Sequence, residues 1–336
     1  MFVDSLWSLL FLLLALTAIV RAAEESDFVA LTLPDVSSVT SIRIARSCGG
    51  SKFDIPKTMF TIRPSEANST SSLEVKTYPA NLVTASVDNE FLTFTYNQDV
   101  GPSAQEGGVL ITMPYDQLSG VQAATSEEVQ ILPGFTKIFS LSASTSAKLT
   151  ADGSTLVGEA SLQVDVTTSA EMKFLSGRPI TGLDVSTSAN FDYQGDLTGS
   201  CNVATSGDLE MKGNLLGPAT CDVTTSSDAT IEGSLLENTV INVGTSADLK
   251  VTGSVWGKIE ASTSSDVTVT SCTNVTLSTS ADCNEKNPVD ETVTVKVDPQ
   301  SLTLTGTNKC SGAFARYSNL VLLPSVVVSM LMFGGW

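Results

Sequence analysis

A Thr-Ser pair, usually followed by a small residue, recurs along the middle of the chain and limits the possible folds more than any other feature. Nine of these pairs form a regular series, and each begins at one of these threonines: Thr125, Thr145, Thr168, Thr187, Thr205, Thr225, Thr245, Thr263 and Thr279. Successive pairs are separated by 16 to 23 residues. A repeat with a period of about 20 residues is typical of a solenoid, in which each repeat forms one coil.

The residues around each pair alternate between apolar and polar. Before Thr225, for example, Cys221 and Val223 stand at even offsets from the threonine. The polar Asp222 lies between them at an odd offset. Alternation with a period of two predicts β-strands and argues against helical repeats, whose period is about 3.6 residues. The pattern therefore predicts an all-β chain, built mainly as a parallel β-helix of about nine coils with about 20 residues each.

Each Thr-Ser pair is expected at a corner between two strands. If the alternation continues through the corner, the threonine and the residue two positions later both point inward, where a small residue is required. The threonine hydroxyl then needs a partner in the backbone or in the next threonine along the column. Segments that start at Gly195, Gly213, Gly233 and Gly253 are expected to form an opposite corner, where glycine permits a positive φ.

The regions around the repeat have other patterns. Residues 23–108 contain short alternating segments separated by polar and Pro/Gly loops, which predicts a small antiparallel β module before the β-helix. The β-helix itself is assigned to residues 109–284. Residues 285–311 alternate again in "ETVTVKV" and "SLTLTG". They are assigned to a C-terminal β cap, because the end of a solenoid exposes strand edges that need covering.

Both ends of the chain resemble targeting segments. Residues 1–22 are predicted to be a signal peptide, with an apolar stretch at residues 9–20 and a cleavage site after Ala22. Residues 312–336 are predicted to be a removed glycolipid (GPI) attachment signal, with Ser311 as the anchor residue. The mature protein is then expected on the extracellular face of the plasma membrane. A C-terminal tail anchor formed by residues 320–336 is the alternative.

Composition excludes several function classes. The chain has no histidine, which removes the Ser-His-Asp triad, histidine-ligated zinc and a histidine base. Its 36 acidic residues against 18 basic ones give an acidic surface that repels nucleic acid. The sequence therefore predicts no enzyme activity, no cofactor and no nucleic-acid partner.

The six cysteines are even in number, which suits disulfides in a secreted chain. Cys201 and Cys221 each stand four residues before a repeating threonine, so they share one inward column in adjacent coils and are predicted to pair. Two buried free thiols are the alternative. The further expected pairs are Cys272 with Cys283 and Cys48 with Cys310. Glycosylation sequons begin at Asn68 and Asn274.

Three functions are considered for the outward columns. Ice binding would require threonine at the outward corner positions, which carry mainly Ser, Ala and Gly if the repeating threonine points inward. Polysaccharide cleavage would require two carboxylates in different environments, whereas the carboxylates here form uniform columns. Calcium binding would use the aspartates that stand three residues after a repeating threonine: Asp208, Asp228, Asp248, Asp266 and Asp282. The interpretation favoured here is that each aspartate instead binds backbone N–H groups at its own corner.

The segments "EFLTFTYN" and "GVLITMPYDQLSGVQAATSEEVQI", followed by the repeats, resemble the head GIN domain family of candidate auto-transporter adhesins. Residues 92–96, residues 109–114 and the nine corners carry the resemblance, which covers about residues 85–285. The family corner is usually Ser-Gly-Ser, whereas this chain has Thr-Ser. The resemblance implies a β-helical fold, an adhesive surface role and no catalytic residues.

These observations predict a non-enzymatic cell-surface β-helix that serves in adhesion or in wall or matrix display. Its expected partner is an extracellular glycan, a matrix protein or a cell-surface protein, and a lipid anchor attaches it to the membrane. The alternative function is an extracellular β-helix that binds calcium or a polysaccharide, with polysaccharide cleavage less favoured.

Overall fold

The computed structural model describes residues 25–45, 57–65, 73–97, 106–152, 161–175, 178–285, 292–297 and 300–305. Within these residues the chain is almost entirely β-structure, apart from two short 3-10 helices at Glu25–Asp27 and Cys272–Asn274. The N-terminal strands are β1 (Val29–Ala30), β2 (Ser41–Ala45), β3 (Lys57–Pro64), β4 (Glu74–Tyr78), β5 (Val83–Asp88), β6 (Phe91–Tyr96) and β7 (Glu106–Met113).

The repeat region continues with one pair of strands for each Thr-Ser pair. These strands are β8 (Gly120–Ala124), β9 (Glu128–Ile131), β10 (Ser140–Ser144), β11 (Lys148–Asp152), β12 (Gln163–Thr167), β13 (Glu171–Leu175), β14 (Ile180–Ser186), β15 (Asn190–Gln194), β16 (Leu197–Ala204), β17 (Asp208–Lys212), β18 (Thr220–Thr224), β19 (Asp228–Ile231), β20 (Val240–Gly244), β21 (Asp248–Val251), β22 (Lys258–Ala261), β23 (Asp266–Val269), β24 (Val275–Leu277) and β25 (Asp282–Glu285). The chain ends, as far as it is described, with β26 (Thr292–Val297) and β27 (Gln300–Thr305).

The predicted parallel β-solenoid is confirmed. From β8 to β25 the even-numbered strands pair in parallel in one sheet and the odd-numbered strands in another. The pairing follows the repeat, so that Val203 lies beside Val223, and Leu209 lies beside Ala229. Isolated bridges form a third, shorter side that joins Leu197, Leu215, Leu235 and Val255.

The inward columns form one continuous apolar core. Side chains at alternate strand positions are buried, for example Val203, Val223 and Val243 in the even-numbered sheet. Phe174, Tyr193 and Phe191 also lie in the core, with ring centroids 5.7 Å apart in each neighbouring pair. Because each coil buries its apolar face against the next, the solenoid gains most of its stability from contacts between coils.

The Thr-Ser pairs do lie at corners, but the inward orientation predicted for the threonines is wrong. At all nine corners both residues have positive φ, 49–63° for threonine and 59–64° for serine. Both side chains are exposed, except that Thr125 is half-buried. The residue that follows the pair is buried in every coil, as predicted. Two consecutive left-handed residues interrupt the strand alternation, and this is why the threonine faces outward. We call this feature the Thr–Ser corner.

A ladder of hydrogen bonds along the solenoid supports the Thr–Ser corner. In each coil the serine N–H donates to the carbonyl of the repeating threonine in the next coil, at 2.9–3.1 Å over all eight intervals. A left-handed conformation costs a non-glycine residue about 1–2 kcal/mol. A net gain of about 1 kcal/mol per backbone hydrogen bond offsets part of that cost.

The glycines of the opposite corner are needed for a different reason from the one predicted. Gly213, Gly233 and Gly253 do not have a positive φ, and the φ of Gly195, 159°, is close to fully extended backbone. A Cβ atom on any of them would overlap the carbonyl oxygen of the equivalent glycine in the preceding coil. The residue after each glycine continues the contact, since the Asn214 side-chain oxygen accepts a hydrogen bond from Ser234 N–H at 2.9 Å. We call Gly213, Gly233 and Gly253 the glycine corner.

The N-terminal segment contains the antiparallel module and also extends the solenoid. β5 is antiparallel to β6, and β4 is antiparallel to both β1 and β7. However, β2 lies in parallel between β6 and β8, and β3 lies in parallel between β7 and β9. Strands β6 and β7 therefore lie at the start of the stack of parallel strands. Strands β2 and β3, which come earlier in the sequence, lie one position further along it. Alternation predicts strands but does not distinguish parallel from antiparallel partners, so this order was not visible in the sequence.

Strands β26 and β27 form an antiparallel hairpin in a two-stranded sheet of their own, within the region predicted as a C-terminal cap. Other predictions fall outside the described residues: the signal peptide, Asn68, Cys48, Cys310, the anchor residue Ser311 and the segment 312–336. In the parts of the chain that the structure describes, no helix has the length and apolar character needed to cross a bilayer.

Candidate binding surfaces of the solenoid

The five predicted aspartates form one column, which we call the aspartate column. Asp208, Asp228, Asp248, Asp266 and Asp282 lie on successive odd-numbered strands and pair directly with one another in register. All five are exposed. Since carboxylates on neighbouring strands repel, the column concentrates negative charge along one edge of the odd-numbered sheet.

The pKa values of two members of the aspartate column reflect this repulsion. The pKa of Asp248 is raised, first by partial desolvation and then by the charges of Asp228 and Asp266. The pKa of Asp208 is raised by desolvation, by Asp228 and by Glu210. The carboxylates of Asp208 and Asp248 therefore lose some of their preference for the charged form when the chain folds.

The predicted role of these aspartates as caps of their own corners is wrong, because the backbone partners are already used. Ser246 N–H donates to the Thr263 carbonyl, and Asp248 N–H donates to the Ser227 carbonyl, both at 3.0 Å. The same pattern repeats in the neighbouring coils. The five carboxylates are exposed, and the backbone contact that affects the pKa of Asp248 comes from Asp266 in the next coil and not from its own corner. Among the described residues, no three Cys, Asp or Glu side chains are grouped so as to hold a metal ion.

A second column, which we call the amide column, follows the even-numbered sheet three residues before six of the nine repeating threonines, and its members are acidic residues and asparagines. It contains Asp165, Asp184, Asn202, Asp222, Asn242 and Glu260. Asn202 Nδ2 donates to Asp184 at 3.2 Å, and Asn242 Nδ2 donates to Asp222 at 2.6 Å. Asp165 lies next to Asp184 without an intervening amide, and its pKa is raised by desolvation and then by the charge of Asp184. The amides thus separate most of the charges that the aspartate column leaves adjacent.

The Thr–Ser corners form a double column of hydroxyl groups on the outside of the solenoid. Because the threonines face outward, the reason given above for disfavouring ice binding does not hold. The column is a ridge only two residues wide between the two sheets, and its backbone groups are occupied by the ladder along the solenoid. The column therefore presents a regular row of hydroxyl and methyl groups to a binding partner.

An exposed tryptophan was not singled out by the sequence pattern. Trp256 is 62% exposed and lies on the outside of the third side of the solenoid, in the position that Leu236 occupies one coil earlier. It borders a shallow depression of about 440 Å³ whose other lining groups are mainly polar. The sequence feature that could have identified this site is a large aromatic residue at a repeat position where the earlier coils carry leucine.

The described cysteines form two disulfides. Cys201 and Cys221 lie side by side on β16 and β18 with Cα atoms 4.3 Å apart, in the inward column that the sequence predicts. Cys272 and Cys283 form a disulfide in the last coil, with their Cα atoms 6.3 Å apart. The sequon residue Asn274 is exposed in the segment between these two cysteines.

No protein-family model and no curated protein matches the chain. Among solved structures, a candidate adhesin from Parabacteroides merdae shares 13% identity with a TM-score of 0.35, over 77% of this chain and 95% of that protein. A candidate adhesin from Bacteroides fragilis shares 13% identity with a TM-score of 0.27, over 77% and 95% of the two chains. A candidate lipid-binding protein from Parabacteroides distasonis shares 12% identity with a TM-score of 0.24, over 77% and 96%. At these values the similarities support no conclusion about function, and membership of the head GIN domain family stays a prediction.

Proposed function

We propose that the chain is a non-enzymatic solenoid protein displayed on the extracellular face of the plasma membrane, where it binds an extracellular glycan, a matrix protein or a cell-surface protein. The observation that carries the proposal is the uniformity of the outward columns. Equivalent positions present similar groups in coil after coil, as the aspartate column and the Thr–Ser corners do. A repetitive surface suits an extended partner that makes the same contact several times.

The same uniformity argues against polysaccharide cleavage. A glycoside-cleaving site needs two carboxyl groups whose environments hold one protonated and the other charged. The members of the aspartate column instead lie in register on one face of one sheet, and all five are exposed. The geometry therefore gives no pair of neighbours the two different environments that an acid and a base require.

Surface attachment is the part of the proposal that rests on the sequence. Removal of the signal peptide after Ala22 and attachment of a glycolipid at Ser311 would leave residues 23–311, which we call the ectodomain. A tail anchor formed by residues 320–336 would display the same surface. In both arrangements the solenoid is outside the cell, where disulfides such as Cys201–Cys221 persist.

The experiment that tests the proposed function is binding of the purified, disulfide-intact ectodomain to arrays of glycans and matrix proteins. We expect saturable binding to a repetitive component, and reduced binding after the aspartate column is neutralised by Asp228→Asn together with Asp248→Asn. The matched control is Asp165→Asn in the amide column. Binding to nothing on either array, or release of new reducing ends from a glycan, would overturn the proposal.

Calcium binding is the second candidate function, and the direct pairing of aspartates on neighbouring strands is the observation that favours it. A divalent cation would reduce the repulsion among Asp228, Asp248 and Asp266. If it binds, the ectodomain melts at a higher temperature in millimolar calcium than in chelator. An unchanged melting temperature would remove calcium from the account.

A further inference from the structure

Trp256 presents an uncovered indole. It is the most exposed of the large apolar side chains in the described residues, at 62%, and Leu236 beside it in the preceding coil is 39% exposed. Their backbone N–H groups make equivalent hydrogen bonds, to Leu235 and Leu215, and so the two side chains share one outward column. An aromatic face that is left open on a soluble protein gains free energy when an apolar surface covers it.

The surroundings of the indole are suited to a sugar ring. The depression beside Trp256 is lined by polar side chains that include Asn238, Lys258, Thr273 and Thr276. A pyranose has an apolar C–H face that stacks on an aromatic ring, and hydroxyl groups on its edge that need hydrogen-bond partners. A depression that is lined mainly by polar residues and has one aromatic wall provides both the stacking surface and the hydrogen-bond partners.

The chain itself contains an attachment point for a sugar at this place. Asn274 lines the same depression and begins the sequon Asn274-Val275-Thr276. Its Nδ2 donates a hydrogen bond to the carbonyl of Val255 at 2.7 Å, next to Trp256 in the chain. This bond uses one amide hydrogen and leaves the other for substitution.

The sequon is also held in position. The Cys272–Cys283 disulfide fixes the segment to the last coil, and Cys272 N–H donates to the Glu285 carboxylate at 2.9 Å. The first sugar on Asn274 would therefore start at a defined point beside the indole. Its position would not depend on a long, flexible loop.

We propose that Asn274 carries an N-linked glycan whose first N-acetylhexosamine ring stacks on Trp256 and covers the depression. In the attachment step the Asn274 amide nitrogen bonds to the anomeric carbon of a lipid-diphosphate-linked oligosaccharide. The bond between that carbon and the diphosphate oxygen breaks, the lipid diphosphate leaves, and the amide loses one proton. The inference rests on the secretory route of the proposed function, because the glycan donor is encountered there.

The ectodomain is suited to a direct test, because it contains a single tryptophan. Trp7 and Trp336 lie in the segments predicted to be removed, so all tryptophan fluorescence of residues 23–311 comes from Trp256. The ectodomain is secreted from a host that attaches N-glycans, and occupancy of Asn68 and Asn274 is read by peptide mass spectrometry. Acrylamide quenching then reports how open the indole is.

We expect Asn274 of the parent ectodomain to carry a glycan. The acrylamide quenching constant of the parent should then be about half that of the Thr276→Ala variant, which cannot be glycosylated at Asn274. Thr276→Ser preserves the sequon and should keep the low value, as should enzymatic trimming to one sugar. Asn68→Gln removes the other sequon and should change nothing at Trp256.

Each other outcome overturns the inference in a distinguishable way. An unoccupied Asn274 beside an occupied Asn68 would contradict the site while leaving secretion intact. An occupied Asn274 with unchanged quenching would contradict the stacking. If neither sequon is occupied, the secretory route of the proposed function fails as well. If free chitin-type oligosaccharide protects the indole in Thr276→Ala but the attached glycan does not protect it in the parent, the depression takes an external saccharide instead.

Discussion

The Thr–Ser corner and the glycine corner bring successive coils together in different ways. At the Thr–Ser corner two residues adopt positive φ, and their side chains point outward to solvent. At the glycine corner φ is not positive, but the backbone approaches the preceding coil so closely that a Cβ would overlap a carbonyl oxygen. At these two corners, glycine is required by close contact, whereas a positive φ is carried by threonine and serine, and a hydrogen-bond ladder offsets part of its cost.

The largest effect is expected at the glycine corner. Gly233→Ala would place a methyl group against the Gly213 carbonyl, which belongs to the backbone and cannot move without shifting a whole coil. We expect a loss of about 3 kcal/mol or more in the free energy of unfolding, measured by denaturant titration.

The matched control for that substitution is Gly244→Ala. A Cβ at Gly244 would meet the Ser262 hydroxyl at 3.3 Å and no backbone atom closer than 3.9 Å. We expect a change within about 1 kcal/mol. Equal losses in the two variants would show that the approach of the coils does not explain the glycine corner.

Much of this architecture follows from the sequence, but the corner geometry does not. The alternation around Thr225 and its equivalents predicts the strands, their faces and the column shared by Cys201 and Cys221, because every strand residue reverses direction relative to the last. That rule stops at two left-handed residues, and β-branched threonine is a poor indicator of positive φ. The close contact at Gly233 involves residues 20 positions apart, so no local pattern reveals it.

The candidate surfaces show the same limit. The aspartate column could be predicted, since Asp228 and Asp248 stand at one repeat position. The depression beside Trp256 could not, because it combines that residue with Asn274 from the following coil. The parallel placement of β2 between β6 and β8 also depends on long-range pairing that alternation alone leaves open.

A moderate stabilisation is expected at the Thr–Ser corner. Thr225→Asn keeps the backbone ladder and replaces a β-branched residue at φ 60° with one that tolerates this region. We expect a gain of about 1 kcal/mol in the free energy of unfolding. The control is Thr224→Asn, one residue earlier in strand β18. Thr224 does not have a positive φ, so its replacement relieves no strain. A gain of the same size in Thr224→Asn would contradict this explanation.

The smallest effect is expected just after the Thr–Ser corner, in the aspartate column. Asp248→Asn removes one of three adjacent charges and should raise the melting temperature at pH 7. The pKa of Asp248 in the folded state is raised, so its repulsion is fully present above that pKa and disappears as pH falls through it. Melting curves from pH 7 to about pH 3 should therefore show the variant and the parent converging at the acidic end.

The amide column supplies the control for that prediction. Asp222 accepts a hydrogen bond from Asn242 Nδ2 at 2.6 Å, so Asp222→Asn replaces a charge-assisted hydrogen bond with a weaker neutral one and should not raise the melting temperature at pH 7. A similar rise in both variants would mean that general acidity, and not the adjacency of the aspartates, limits stability.

The central proposal is that a glycolipid holds the solenoid outside the cell. Release of the protein from intact cells by a phospholipase specific for such anchors tests this proposal most directly. We predict that treatment releases the protein, and that mass spectrometry of the released chain finds no peptide from residues 320–336. Retention on the cells, with residues 320–336 still attached, would contradict the lipid anchor and indicate a tail-anchored protein. Failure to find the protein on the cell surface at all would contradict the proposed function as a whole.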